Sequence, residues 1–143
     1  MSDVASAPTV ALPAGLPTPG TVVGGRFELL ELLGTGGMGA VYRARDRELD
    51  EPVALKVLLP STDDADALPR FFREVRLARR VTHPNVARTY DGGRDGDLRF
   101  LTMELVEGAS LRERFRTPPP LPEALRSAAA IAEGLAAAHA AGV

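Results

Sequence analysis

The sequence predicts an α+β fold, an antiparallel sheet first and helices after it. Three observations predict it. Short strand-like segments joined by glycine-rich or polar turns fill residues 27–59; one amphipathic helical stretch follows at 68–81; and beyond residue 107 the pattern becomes helical and rich in alanine. Strands joined by tight turns pair antiparallel, because a parallel return needs a long crossover.

The elements follow in order. Phe27 to Leu33 is short, apolar and ended by glycines, so it reads as a strand, although its Leu and Glu content would also suit a helix. Ala40 to Arg45 alternates and carries β-branched and aromatic residues, which marks a second strand. Asp46 to Glu51 is a polar turn, and Pro52 to Leu59 is a third strand with Lys56 in its middle. Ser61 to Ala67 is an acidic loop. Leu68 to Val81 has helical spacing, with Phe71, Val75 and Ala78 on one stripe, and His83-Pro84-Asn85 ends it. Val86 to Tyr90 and Leu98 to Val106 are two further strands, with a hairpin loop at 91–97. Ser110 is placed to cap a short helix through Arg116, Thr117 to Pro120 is a stiff linker, and Glu123 to Ala141 is a long helix broken only by Gly134.

Composition bounds the function. A 143-residue, 15.1 kDa chain is one domain with room for a core. The net charge of −2 and the lack of a basic stripe with interleaved aromatics argue against a nucleic-acid partner. With no Cys, disulfides and thiolate metal sites are impossible, and two His make a metal centre improbable, so no metal site is expected. Pro8, Pro13, Pro17 and Pro19 interrupt the start of the chain, and residues 1–24 read as a disordered Ala/Pro-rich lead-in rather than a signal peptide. No apolar run approaches the roughly 18 residues of a membrane span, so a cytoplasmic chain with no membrane segment is expected.

Lys56 is the single lysine among 17 basic residues. Its position inside an apolar strand needs a reason, since an ammonium in apolar surroundings is costly unless it meets an anion. Ala54 and Lys56 are two apart and share a sheet face, which would let a flat ring lie on Ala54 with its phosphates near Lys56. The plain alternative is a lysine reaching out along a sheet edge. Upstream, Gly34-Thr35-Gly36-Gly37-Met38-Gly39 fits G-x-G-x-x-G, whose glycines let backbone N–H groups approach phosphate oxygens. Alone it could be a flexible hairpin turn. A strand follows it rather than a helix, so a dinucleotide-binding fingerprint does not fit, and no Gly-Lys pair exists for a Walker A loop. Glu74 is the only acid between Leu68 and Val81 and borders the apolar stripe, where it could meet a cation on the sheet or pair with a neighbouring Arg on its own helix.

Taken together, the glycine loop between strands, Val53-Ala54-Leu55-Lys56, the Glu74 helix and the segment after Leu98 resemble the small lobe of a bacterial eukaryotic-type (Hanks-type) serine/threonine protein kinase. The resemblance covers about residues 25 to 143. It implies a five-stranded antiparallel sheet plus one helix, the ATP-binding small lobe, at 25–106, and a hinge and the start of a helical large lobe at 107–143. It implies that Gly34, Thr35, Gly36, Gly37, Met38 and Gly39 cover the ATP phosphates, that Leu33, Val41 and Ala54 pack on adenine, and that Lys56 holds phosphates and pairs with Glu74. Met103 then matches the gatekeeper behind the base, and Glu104 and Val106 match hinge residues. Ala78 departs from the family, which usually places a larger apolar residue there. H-R-D, D-F-G and A-P-E do not occur in these 143 residues, so the catalytic Asp and the Mg²⁺ ligands are absent from them. The expectation is therefore the N-terminal piece of a kinase, a partner of ATP and of protein Ser/Thr hydroxyls, inactive by itself. The alternative is a non-catalytic nucleotide-binding or interaction module.

Overall fold

The computed structural model describes residues 14–36, 39–59 and 67–143. The elements are β1 (Val22–Val23), β2 (Phe27–Gly36), β3 (Gly39–Asp46), β4 (Glu51–Leu58), α1 (Ala67–Ala78), β5 (Thr89–Asp95), β6 (Leu98–Met103), α2 (Leu111–Arg114) and α3 (Leu121–Ala140). The strands form one sheet in the order β1-β2-β3-β4-β6-β5, and every neighbouring pair is antiparallel. The α+β expectation is met, with one strand more than the five expected.

That extra strand corrects the reading of residues 1–24 as a disordered lead-in. Gly24 and Gly25, with φ of +61° and +69°, turn the chain so that Val22 and Val23 pair with Glu28 and Phe27. Val23 is fully buried, Leu16 joins the core, and the Tyr42 hydroxyl donates to the Pro17 carbonyl at 2.7 Å. Residues 14–24 are thus part of the domain; residues 1–13 and the acidic loop at 61–66 lie outside the described residues.

Alternation along the strands sorts side chains between two faces. Phe27 and Leu29 of β2, Tyr42 and Ala44 of β3, Val53, Leu55 and Val57 of β4 and Phe100 of β6 form the core on one face. Burying side chains of this size stabilises by roughly 1.5–3 kcal/mol each. Phe27 and Phe100 meet edge to face at 5.8 Å. At the end of β3 the buried Asp46 accepts two bonds from Arg26, at 2.9 and 2.6 Å, and the Glu48 and Leu49 N–H groups also donate to it. The Arg26 bond holds the Asp46 carboxyl below its ordinary value, against the opposing effect of burial.

The β5–β6 hairpin departs from expectation. Gly92 and Gly93, expected in a loop at 91–97, lie within β5, and only Gly96 and Asp97 form the turn. Side chains from elsewhere explain it. The Phe100 ring lies where a Cβ on Gly93 would be, 2.6 Å from it, and Val75 stands 3.0 Å from where a Cβ of Gly92 would fall. These glycines leave room for α1 and Phe100 to lie on the strand. β5 accordingly starts at Thr89 rather than Val86, and β6 ends at Met103 rather than Val106.

Helix α2 is capped as expected. Ser110 Oγ accepts from Glu113 N at 3.2 Å, and the Glu113 carboxylate accepts from Ser110 N at 2.7 Å. Helix α3 begins two residues earlier than expected, with Pro122 in its first turn. It docks on the turn after α1: Asn85 Nδ2 donates to the Ala130 carbonyl at 3.1 Å and to Glu133 at 3.3 Å. Gly134 is the buried residue of α3, and a Cβ there would stand 3.0 Å from the Asn85 carbonyl oxygen.

Candidate functional site

The sheet face opposite the core carries the candidate site. Tyr42 and Ala44 are buried in the core, so Val41 and Arg43 project the other way; Leu55 and Val57 likewise leave Ala54 and Lys56 on that second face. The register aligns these residues in rows. Gly34 pairs with Val41, Val41 with Lys56 and Lys56 with Leu101; one step outward, Glu31 pairs with Arg43, Arg43 with Ala54 and Ala54 with Met103. The ladder between Leu32 and Gly34 slips at a bulge, which takes Leu33 out of pairing and leaves it exposed.

Lys56 sits between two cavities. One, of about 440 Å³, is lined by Gly34, Thr35, Gly36, Gly39, Ala40, Val41 and Lys56. The other, also about 440 Å³, lies between the sheet and α1, where Lys56 and Glu74 line it among apolar side chains such as Phe71, Val75 and Ala78. Gly37 and Met38, expected in the glycine loop, lie outside the described residues.

The glycines divide by role. Gly39 has a φ of +143°, and a Cβ on it would collide with the Val57 carbonyl group, so the β3–β4 pairing itself demands glycine there. Among the described residues nothing lies within 4 Å of the Cβ positions of Gly34 and Gly36, and neither has a left-handed φ. No described residue demands glycine at either position.

Lys56 is half-buried and Glu74 is exposed, and the two do not form the ion pair expected of them. Both face the same cavity, but α1 is seated over β5, where Val75 rests on Gly92, rather than over β4. Ala78 lines the space between helix and sheet, and Glu74 is exposed at it.

Beyond β6 the chain leaves backbone groups available. Glu104 N donates to the Arg88 carbonyl at 2.8 Å, and the Glu104 carboxylate accepts from Arg88 N at 3.0 Å, which pins the segment. Among the described residues the Glu104 carbonyl and the Val106 N–H have no intramolecular partner. Val106 is exposed, and Met103 is half-buried beside Ala54.

The protein kinase domain model matches residues 27–143. The chain belongs to the protein kinase family. Among curated kinases it is 46% identical over 125 residues to the serine/threonine-protein kinase pkn2 of Myxococcus xanthus, covering 85% of this chain and 15% of that one. It is 38% identical over 123 residues to the serine/threonine-protein kinase PrkC of Bacillus subtilis, covering 84% of this chain and 19% of that one. The crystal structure of the Mycobacterium tuberculosis PknI kinase domain superposes with a TM-score of 0.73 at 30% identity, covering 89% of this chain and 54% of that one. The chain therefore spans under a fifth of these two curated relatives and about half of a kinase domain. The sheet with its helix is the small-lobe architecture of the family, and the strand that opens at Gly39 excludes the helix a dinucleotide-binding enzyme would need.

One feature of this chain escaped the sequence. Arg43, on the face of Val41 and Ala54, donates to both carboxylate oxygens of Glu107, from Nη1 at 2.8 Å and Nη2 at 3.0 Å, and its Nε stands 3.5 Å from Glu31. Alternation with Tyr42 would have placed Arg43 on this face; nothing local in the sequence pointed to a partner 64 residues away. Among the described residues no helix is long and apolar enough to cross a membrane, and no cluster of His, Asp and Glu could hold a metal ion.

Proposed function

We propose that the chain is the ATP-binding portion of a protein serine/threonine kinase that transfers the ATP γ-phosphate to protein hydroxyls. The observation that carries this reading is the row Gly34–Val41–Lys56, which sets the single lysine beside glycines whose Cβ positions meet no described atom within 4 Å. Backbone N–H groups can reach phosphate oxygens there without a side chain intervening. Lys56 supplies a point charge to the α- and β-phosphates. Leu33, Val41 and Ala54 offer the apolar surface for adenine, with Met103 behind it. The free Glu104 carbonyl and Val106 N–H suit the polar edge of the base.

In the family, magnesium neutralises phosphate charge during transfer. The motifs that hold it and the catalytic Asp do not occur in these 143 residues. The residues present bind and orient, and they hold no base to accept the hydroxyl proton. The chain by itself is thus read as inactive in transfer.

A second reading, a nucleotide-binding module without catalysis, is favoured by the open Lys56–Glu74 pair, because kinases need that pair for transfer. Both readings predict saturable binding of ATP. Titration of the chain with N-methylanthraniloyl-ATP, followed by competition with ATP, tests them; fluorescence that stays flat at millimolar nucleotide would sink both. Phosphate transfer by a longer chain that includes an H-R-D segment separates them, since a module stays silent there.

A further inference from the structure

The Arg43–Glu107 pair joins two parts of the candidate cleft that the chain keeps far apart. Arg43 stands on β3, the strand that leaves the glycine turn, one step along the ligand face from Val41. Glu107 follows Val106, past the segment whose free backbone groups suit a purine edge. Two parallel N–H···O bonds at 2.8 and 3.0 Å fix the guanidinium in its fork geometry, and Glu31 on β2 adds a third contact at 3.5 Å. Both β2 and β3 are thereby tied to the segment after Val106.

We propose that Arg43 and Glu107 form a clasp across the outer edge of the nucleotide cleft that slows nucleotide release. The proposal rests on the nucleotide-binding reading. A tilt of β2 and β3 away from Glu107 opens the cleft mouth, and that tilt must break both bonds of the fork. Hinge motions of this kind set release rates in many enzymes. Arg43 is thus a positioning residue: it acts through β2, β3 and the segment at Glu107.

The pair stands at the surface, with Arg43 31% and Glu107 69% exposed, so its effect is modest and screened by salt. Burial does not explain its geometry; a bidentate fork between segments 64 residues apart does more than solvate a charge. The charges also perturb each other: the Arg43 bond holds the Glu107 carboxyl below its ordinary value, and the Glu107 bond raises Arg43.

The test is a cycle of Arg43→Met, Glu107→Gln and the double variant in the 143-residue chain. Release of N-methylanthraniloyl-ATP, displaced by excess ATP, is followed by stopped flow. Glu107→Gln should speed release by about two- to fivefold at low salt, the range expected for one surface ion pair. It should add nothing in the Arg43→Met background, and the gain should shrink as salt rises. Thermal midpoints should stay close to native, which an exposed carboxylate allows. Native release rates in Glu107→Gln, or effects of the two substitutions that simply multiply, would overturn the clasp while leaving nucleotide binding intact. A native chain that takes up no labelled ATP overturns the clasp and the nucleotide-binding reading together.

Discussion

Lys56 stands directly opposite Val41 in the β3–β4 ladder, and Val41 is in turn paired with Gly34. Directly paired residues project to the same side of a sheet, so the glycine strand, an apolar side chain and the single lysine share one surface. Where Leu33 leaves the ladder at a bulge, a second apolar side chain becomes available beside them.

The glycines give a paired prediction. Gly39→Ala should lower the thermal midpoint sharply or prevent folding, because its Cβ meets the Val57 carbonyl and its φ is positive. Gly36→Ala should change stability by no more than about 0.5–1 kcal/mol, as expected where the backbone is unstrained, while weakening ATP binding. Circular dichroism melts and nucleotide titration check the two together. A Gly36→Ala chain that binds ATP as tightly as native would show that open space there serves no ligand.

Filling the space under α1 should stabilise the chain. Ala78 lines the cavity between helix and sheet, and Ala78→Leu should add about 0.5–2 kcal/mol, the usual gain from filling a cavity. Urea denaturation measures it. An unchanged or lower midpoint would mean that the cavity closes by itself in solution.

The Arg26–Asp46 pair predicts a pH dependence. Asp46 is held below the ordinary carboxylate value by its Arg26 bond, so the pair stabilises the fold in full above that ordinary value. The contribution is lost as pH falls through the depressed Asp46 pKa. Asp46→Asn should therefore melt a few degrees lower than native at neutral pH, and the gap should close at low pH. A gap that stays constant between neutral and strongly acid conditions would contradict this.

Docking of α3 depends on a missing side chain. Gly134→Ala would put a methyl group 3.0 Å from the Asn85 carbonyl oxygen and 3.2 Å from Val86. The crowding should cost roughly 1–3 kcal/mol, the range for overpacked sites, despite the better helix propensity of Ala. Hydrogen exchange should rise along α3 and around Asn85 while the β2–β4 amides stay protected.

Much of this site is legible in the sequence. Ala54 and Lys56 share a face because they are two apart, and glycines followed by Val41-Tyr42-Arg43 required a strand after the loop. The Ser110 cap was visible for the same reason: its hydroxyl and Glu113 satisfy each other locally. What escaped depended on distant partners. Gly92 and Gly93 read as loop residues because only Phe100 and Val75, from other elements, lie against them in the strand. The Glu74 helix was legible, but its seat over β5 was not, since that depends on the room left by Ala78 and Gly92. Two residues such as Val22 and Val23 carry no periodicity to read; their pairing rests on the Gly24–Gly25 turn.

The most direct test is calorimetric titration of ATP into the native chain and into Lys56→Met. Saturable binding by the native chain, weakened about tenfold or more by loss of the charge-assisted contact with the melting temperature unchanged, is the predicted result. Equal affinity in the two chains would contradict the role given to Lys56.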